Sequence, residues 1–219
     1  MKPLIRILGA LIAAASLVMV APPAGAAPST HSRHRPFIEV HTAHLSPVGH
    51  DRAADGGSDV RGQVTFIRVG DRLVVVEFVV GAAPQLPHAQ HVHGIALGQC
   101  PDASVRDDRG LISTPAAQPF YGMIQASLTT RGDTTPASAL AVDRFPTANP
   151  FGAYLYVRTL KIGRDIPADV GYDIGKFEVV VHGIDINHDG AYDFSSGPSP
   201  LDPTLPFEAT IPAACGEVR

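Results

Sequence analysis

Short apolar runs, many with the two-residue alternation of a β-strand, make up most of the chain after residue 60. The runs 63–69 and 72–80 are rich in β-branched residues, and Gly70-Asp71 between them has the length and composition of a hairpin turn. Beyond residue 26, no segment keeps the 3.6-residue apolar period of a helix. The pattern therefore predicts an all-β sandwich or barrel. Further strands are expected at 89–95, 123–130, 139–142, 153–162, 176–184 and 207–211, with an added strand at 37–45.

The first 26 residues have the layout of a secretory signal peptide. Lys2 and Arg6 precede an apolar stretch over 7–20, and the small residues Ala24 and Ala26 suit cleavage before residue 27. The apolar stretch is shorter than the roughly 20 residues that a membrane span needs. We therefore expect a secreted, extracytoplasmic protein with no membrane span after cleavage. An uncleaved N-terminal anchor is the alternative interpretation.

Composition narrows the class of protein further. Hydrophobic residues make up 45% of the chain, which is too apolar for disorder, and 21 Gly with 20 Pro are too many for a helical bundle. Without the signal peptide the chain has 15 basic against 21 acidic residues, a net charge of −6, so nucleic acid is not an expected partner. We expect a histidine-rich N-terminal arm at 27–60, with five of the ten histidines, and one β-domain at 61–219.

The chain has two cysteines, Cys100 and Cys215. In an exported protein the expected outcome is one disulfide, which ties a loop in mid-chain to the C-terminus. Two free thiols are the alternative. On the chain-entropy estimate, closing a loop of this size stabilises the fold by roughly 4 to 5 kcal/mol before any native strain is subtracted.

Three histidines fall on two predicted strands. His91 and His93 project to the same face of one strand because they are two residues apart, and His182 lies on the face of another strand opposite its apolar residues. Long loops, at about 98–121 and 185–206, begin just after these two strands. Three outward imidazoles under two loops suit copper or zinc. Solvated or hydrogen-bonded surface histidines are the alternative.

The chain resembles the Cu/Zn superoxide dismutases over about residues 60 to 219. Cys100 stands where that family has a disulfide cysteine. The other matching motifs, in family order, are Gly62-Gln-Val-Thr-Phe66, Gly81-Ala-Ala-Pro84, His88-Ala-Gln-His-Val-His-Gly94, Lys176-Phe-Glu-Val-Val-Val-His182 and Ala213-Ala-Cys215-Gly216. The resemblance implies an eight-stranded Greek-key barrel of the sandwich kind.

The resemblance also implies roles for individual residues. His91, His93 and His182 match three copper ligands of the family, and His88 matches a histidine that supports the site without binding metal. No histidine lies between Cys100 and His182, where the family has its bridging histidine and other zinc ligands, so no zinc site of that type is expected. The family's substrate-steering arginine is replaced by Pro212, so we expect only slow dismutation of superoxide, a small anion.

A second resemblance is to the CHRD-type extracellular domain, which also has an H-x-H-G strand in an all-β fold. The segment His91-Val-His-Gly94 has glycine where the dismutases have glutamate. This resemblance implies a non-catalytic extracellular module that binds a partner the sequence does not identify. Candidates for a fourth copper ligand or a cap are the arm histidines between 31 and 50, His188 and Tyr121.

The second long loop contains a candidate calcium site. Residues 185–193 follow the first nine positions of a calcium-binding loop, with Gly190 at the sharp turn. Ser196 stands where an EF-hand has a bidentate glutamate, and no helices are expected around it. The alternative is an Asx-rich turn whose side chains bind their own backbone. The candidate ligands are Asp185, Asn187, Asp189 and Asp193.

Overall fold

The computed structural model describes residues 37–219, and the predicted signal peptide, His31 and His34 lie outside this part of the chain. Eight antiparallel strands form one curled sheet in the order β5-β4-β7-β8-β1-β2-β3-β6, which confirms the all-β prediction. No helix in residues 37–219 is long and apolar enough to cross a membrane. The strands are β1 (Ile38–Pro47), β2 (Arg61–Val69), β3 (Arg72–Val80), β4 (Gln90–Gly94), β5 (Met123–Ser127), β6 (Tyr154–Lys161), β7 (Glu178–His182) and β8 (Pro212–Glu217).

β1 is an interior strand of this sheet. Its residues from Ile38 to Leu45 pair with β2, and Ser46 and Pro47 pair with β8. The strand expected at 37–45 is therefore present. Residues 37–60, which the sequence groups with a histidine-rich arm, are joined to the sheet through this strand.

The β2–β3 hairpin turns at Gly70-Asp71 as predicted. Gly70 has a φ of +61°, a conformation that glycine adopts without steric penalty. In β3, the residues Val74 and Phe78 share the outer face, whereas Leu73 and Val75 point into the core. Glu77 belongs to the inner set and has no solvent exposure.

Two short segments differ from the strands expected for them. Residues 139–142 contain no strand, and a helical turn begins at the last of them and spans 142–144. Residues 207–210 form the helical turn α3 (Phe207–Thr210) after Pro206. A segment of four or five residues is too short for its pattern to distinguish a strand from a helical turn. The other helices are α1 (Thr114–Tyr121) and α2 (Ala168–Tyr172).

A small second core lies beside the main core of the sheet. It packs α1 against β7 and β8, which brings the first long loop over these strands. Cys100 and Cys215 form the predicted disulfide, with a Cα–Cα distance of 5.7 Å, at the edge of this cluster. The buried members of the second core are Val48, Ile112, Ala117, Tyr121, Val180 and Cys215.

Candidate metal centre

The three histidines predicted from the sequence converge on one point. β4 and β7 are hydrogen-bonded neighbours in which His91 lies opposite Val180. Val92 points into the main core, so His91 and His93 point to the opposite side of β4. Register shifts between Val92 and His93 and between Val181 and His182 occur next to the site, and such bulges redirect side chains.

The three imidazoles form a compact, buried group. One ring nitrogen from each histidine lies within 4.8 Å of the corresponding nitrogens of the other two. The ring centroids of His91 and His182 are 5.1 Å apart, and those of His93 and His182 are 6.0 Å apart. Each residue is at most 3% exposed. It is the one group of three or more converging His, Cys, Asp or Glu side chains found within residues 37–219.

A backbone carbonyl fixes the orientation of each ring. His91 Nε2 donates to the Ala139 carbonyl at 3.1 Å, and His93 Nδ1 donates to the Gly122 carbonyl at 2.9 Å. His182 Nδ1 donates to the Thr210 carbonyl at 2.9 Å. Because a carbonyl oxygen only accepts, each bonded nitrogen carries the proton of the neutral ring. Its other nitrogen therefore has a free lone pair.

These three lone-pair nitrogens have no hydrogen-bond partner in the protein. They are His91 Nδ1, His93 Nε2 and His182 Nε2, each buried. Leaving a buried polar atom unpaired costs about 1–3 kcal/mol, so three together at one point are unusual unless a ligand pairs with them. The only other such side-chain atoms within residues 37–219 belong to Glu77 and Glu178.

Burial keeps the three rings neutral. Loss of solvation lowers the pKa of His93 to about 3 and that of His182 to about 4. The pKa of His91 is also lowered well below 6.5, first by burial and then by the neighbouring His182 and His93. Neutral imidazole is the form that binds a metal ion.

The spacing of the nitrogens fits a single ion. Imidazole nitrogens bind zinc at about 2.0–2.1 Å, so two nitrogens on one tetrahedral ion are about 3.4 Å apart. With all three nitrogens within 4.8 Å of one another, a pair at that limit has to close by about 1.4 Å. The carbonyl partners on the far ring nitrogens are the usual outer contacts of metal-binding histidines.

His88 and Tyr121 lie around the group and not within it. Both ring nitrogens of His88 contact backbone carbonyls, with Nδ1 at 3.0 Å from the carbonyl of His182 and Nε2 at 3.1 Å from that of Ala83. The ring of Tyr121 packs edge-on against His93 at 4.4 Å, and its hydroxyl donates to the Thr114 carbonyl at 3.4 Å. Tyr121 thus covers His93 and directs its hydroxyl elsewhere.

Two glycines leave room for the site. A Cβ on Gly94 would lie 2.3 Å from the Phe177 ring, so the glutamate that the dismutases have at this position does not fit here without rearrangement. Gly122 has a φ of +83°, and a Cβ there would lie 1.9 Å from the Gly94 carbonyl oxygen. Gly122 is therefore required where its carbonyl holds His93.

The other suggested copper contacts lie elsewhere. His50 is buried, with Nε2 donating to the Pro212 carbonyl at 2.7 Å and Nδ1 accepting from the Ile112 amide at 3.0 Å. His188 is exposed and contacts the Gly56 carbonyl at 2.7 Å. Neither residue is a member of the converging group.

The candidate calcium residues form turns that bind their own backbone. Asp185 accepts from the amides of Asp189 and Gly190 at 3.2 and 3.0 Å, and Asp193 accepts from the Ser195 amide at 2.7 Å. Asn187 and Asp189 accept from backbone amides in the same way. These contacts follow the Asx-turn alternative, and the calcium prediction stays a prediction.

The sequence does not indicate which backbone carbonyls accept from the ring nitrogens of the three histidines. The acceptors come from Gly122, Ala139 and Thr210, which are 28 to 48 residues away from their histidines in the chain. They act through backbone carbonyls, which every residue type has, so residue identity contains no signal for Ala139 or Thr210. For Gly122, the glycine after a predicted loop is a local signal of a special backbone conformation.

No protein-family model matches the chain. No curated protein sequence shows a significant match either.

Proposed function

We propose that this protein is a secreted, superoxide dismutase-like protein that binds one copper ion through His91, His93 and His182. The observation that carries the proposal is the convergence of three buried, unpaired nitrogens whose rings are held by backbone carbonyls. Imidazole suits copper and zinc, and copper binds more tightly than zinc to a given set of nitrogen ligands. A copper ion held there would supply a redox-active Lewis acid.

The surroundings of the site disfavour rapid dismutation of superoxide. The cavity in front of the histidines has no lysine or arginine in its wall. The mature chain also has a net charge of −6, so its overall field repels a small anion. We therefore expect dismutation by the copper-loaded protein to be far below the diffusion limit of about 10⁸ to 10⁹ M⁻¹s⁻¹.

Metal retention tests the proposal directly. Dialysed protein loaded with copper should keep about one copper per chain, and excess zinc should not displace it. His91→Ala and His182→Ala should each lose the metal, whereas His44→Ala, at an exposed position of β1, should retain it. Equal retention by all four proteins would refute the ligand assignment.

If wild-type protein retains no metal after copper loading and dialysis, that result would instead favour the alternative function. The three histidines would then be remnants in a non-catalytic extracellular β-module of the CHRD type. A superoxide assay on the loaded protein completes the test, because a rate near the diffusion limit would contradict a site that lacks a steering cation.

A further inference from the structure

A cavity of about 300 Å³ adjoins the three histidines, which form part of its wall. The rest of the wall comes from three separate parts of the chain: α1 with the start of β5, residues 136–142, and residues 201–210. Met123 and Leu201 in this wall are 59% and 45% exposed, so the cavity reaches the protein surface on that side. The apolar wall residues include Tyr121, Ile124, Leu140, Val142, Leu201 and Leu205.

The polar groups of this wall are already bonded. The Thr114 hydroxyl donates to the Thr210 carbonyl at 2.5 Å, and the Tyr121 hydroxyl donates to the Thr114 carbonyl. The Gln118 amide contacts Met123 Sδ. No acidic or basic side chain other than the histidines lines the cavity. The three unpaired imidazole nitrogens are fully buried, so the polar partner that they offer a ligand in the cavity is a metal ion bound to them.

The size of the cavity limits its occupant to a small molecule. An apolar cavity of about 150 Å³ is enough to bind benzene, so about 300 Å³ has room for one substituted ring. Pockets of this kind bind through apolar contact and use a few polar groups to orient the ligand. Here the orienting group is at one end only.

Charge determines the kind of head group. Imidazole binds a metal ion as a neutral ligand, so three imidazoles do not compensate the charge of a divalent ion, and the wall provides no carboxylate. A buried charge is stable only when it is paired, which favours a ligand with one anionic donor atom. A tail with a second charge would be transferred from water to an apolar wall without a partner.

We propose that this cavity binds a small phenol, with its oxygen at the metal and its ring against the apolar wall. The inference rests on the proposed metal site and adds its ligand class. It differs from a site for a small inorganic anion, because most of the binding surface contacts the ring.

The test uses protein loaded with cobalt(II), whose visible absorption reports a new donor atom without redox chemistry. The metal content per chain is measured first, and phenol, 4-ethylphenol, 4-hydroxybenzenesulfonate and azide are then titrated. We expect 4-ethylphenol to bind about fifteenfold more tightly than phenol, since each of the two added carbons removed from water contributes about fourfold. We expect the sulfonate and azide to bind more weakly than phenol.

Two leucine variants separate the cavity from the protein surface. Leu205→Gln places an amide in the cavity wall and should weaken 4-ethylphenol binding at least tenfold with unchanged metal content. Leu155→Gln makes the same change at a β6 position that is 66% exposed and should bind like wild type. Metal retention with no preference for the apolar phenols, or equal binding by both variants, would overturn the phenol site alone. Failure to retain either cobalt or copper would overturn it together with the proposed function.

Discussion

Replacing the buried Glu77 by glutamine should change how the stability of the fold depends on pH. Glu77 lies inside the sheet on β3, and neither of its carboxylate oxygens has a hydrogen-bond partner. Nearby, Gln90 donates its amide to the Leu128 carbonyl and accepts from the Tyr154 hydroxyl. Burial disfavours the charged carboxylate and raises the pKa of Glu77 from 4.5 to about 8.

The magnitude follows from the proton that the folded chain retains. Between pH 4.5 and about 8, Glu77 is protonated in the folded chain and ionised in the unfolded chain. The free energy of unfolding therefore falls by about 1.4 kcal/mol per pH unit, or about 5 kcal/mol over the interval. Glutamine stays neutral in both states, so the variant lacks this loss.

The measurement is urea unfolding of both proteins from pH 5 to 9, with a chelator present and the disulfide intact. The stability of Glu77→Gln relative to wild type should rise with pH up to about 8 and then level off. Buried histidines with lowered pKa values, such as His93, reduce the free energy of unfolding as the pH falls below about 6.5. Wild type and Glu77→Gln share that effect, so it does not change the difference between them. Asp108→Asn is the control at an exposed carboxyl. A difference between Glu77→Gln and wild type that does not vary with pH would refute the reasoning.

Four further predictions concern the loops around the site and strand β4. Cys100→Ser should lower the free energy of unfolding by up to roughly 4 to 5 kcal/mol, because it removes a covalent link across 115 residues. Quantitative alkylation of both thiols in the native protein would contradict the disulfide. Asp185→Ala should lower the free energy of unfolding by about 1 kcal/mol, since the Gly190 amide loses its acceptor and the Asp189 amide keeps only Asn187. Millimolar calcium should leave the Tm of wild type unchanged, and an increase that Asp185→Ala abolishes would instead establish a calcium site. Gly94→Ala should lower the Tm, because the added methyl group overpacks the Phe177 ring at a cost of about 1–3 kcal/mol. An unchanged Tm by calorimetry would show that the ring moves freely.

The sheet and the histidine group were predictable because their signals are local. A two-residue alternation places His91 and His93 on one side of β4, whatever the rest of the chain does. The position of His182 opposite the apolar residues of its strand identifies the third member. Pairing of β4 with β7, which the strand pattern alone does not specify, then brings the three together.

Other features depend on residues that are distant in the chain. Both faces of β3 are rich in valine, so periodicity does not show that Glu77 points inward; the packing of the neighbouring strands decides it. The cavity wall combines residues 136–142 with residues 201–210, and no pattern in either segment indicates the other. Ala139 was expected in a strand, yet it contributes a carbonyl contact to His91 from an irregular segment.

The disulfide has a consequence for the order in which the protein matures. Cys215 lies opposite Val180 in the sheet, and Val180 lies opposite His91, so the sulfur bridge and the site share one row across three strands. From Cys100 the chain runs through α1 to Gly122, whose carbonyl holds His93. A chain with reduced thiols lacks this covalent link between the row that contains His91 and the loop that orients His93. Under the proposed function, oxidation of the two cysteines would therefore come before efficient metal capture, and the ion would be acquired where the disulfide forms.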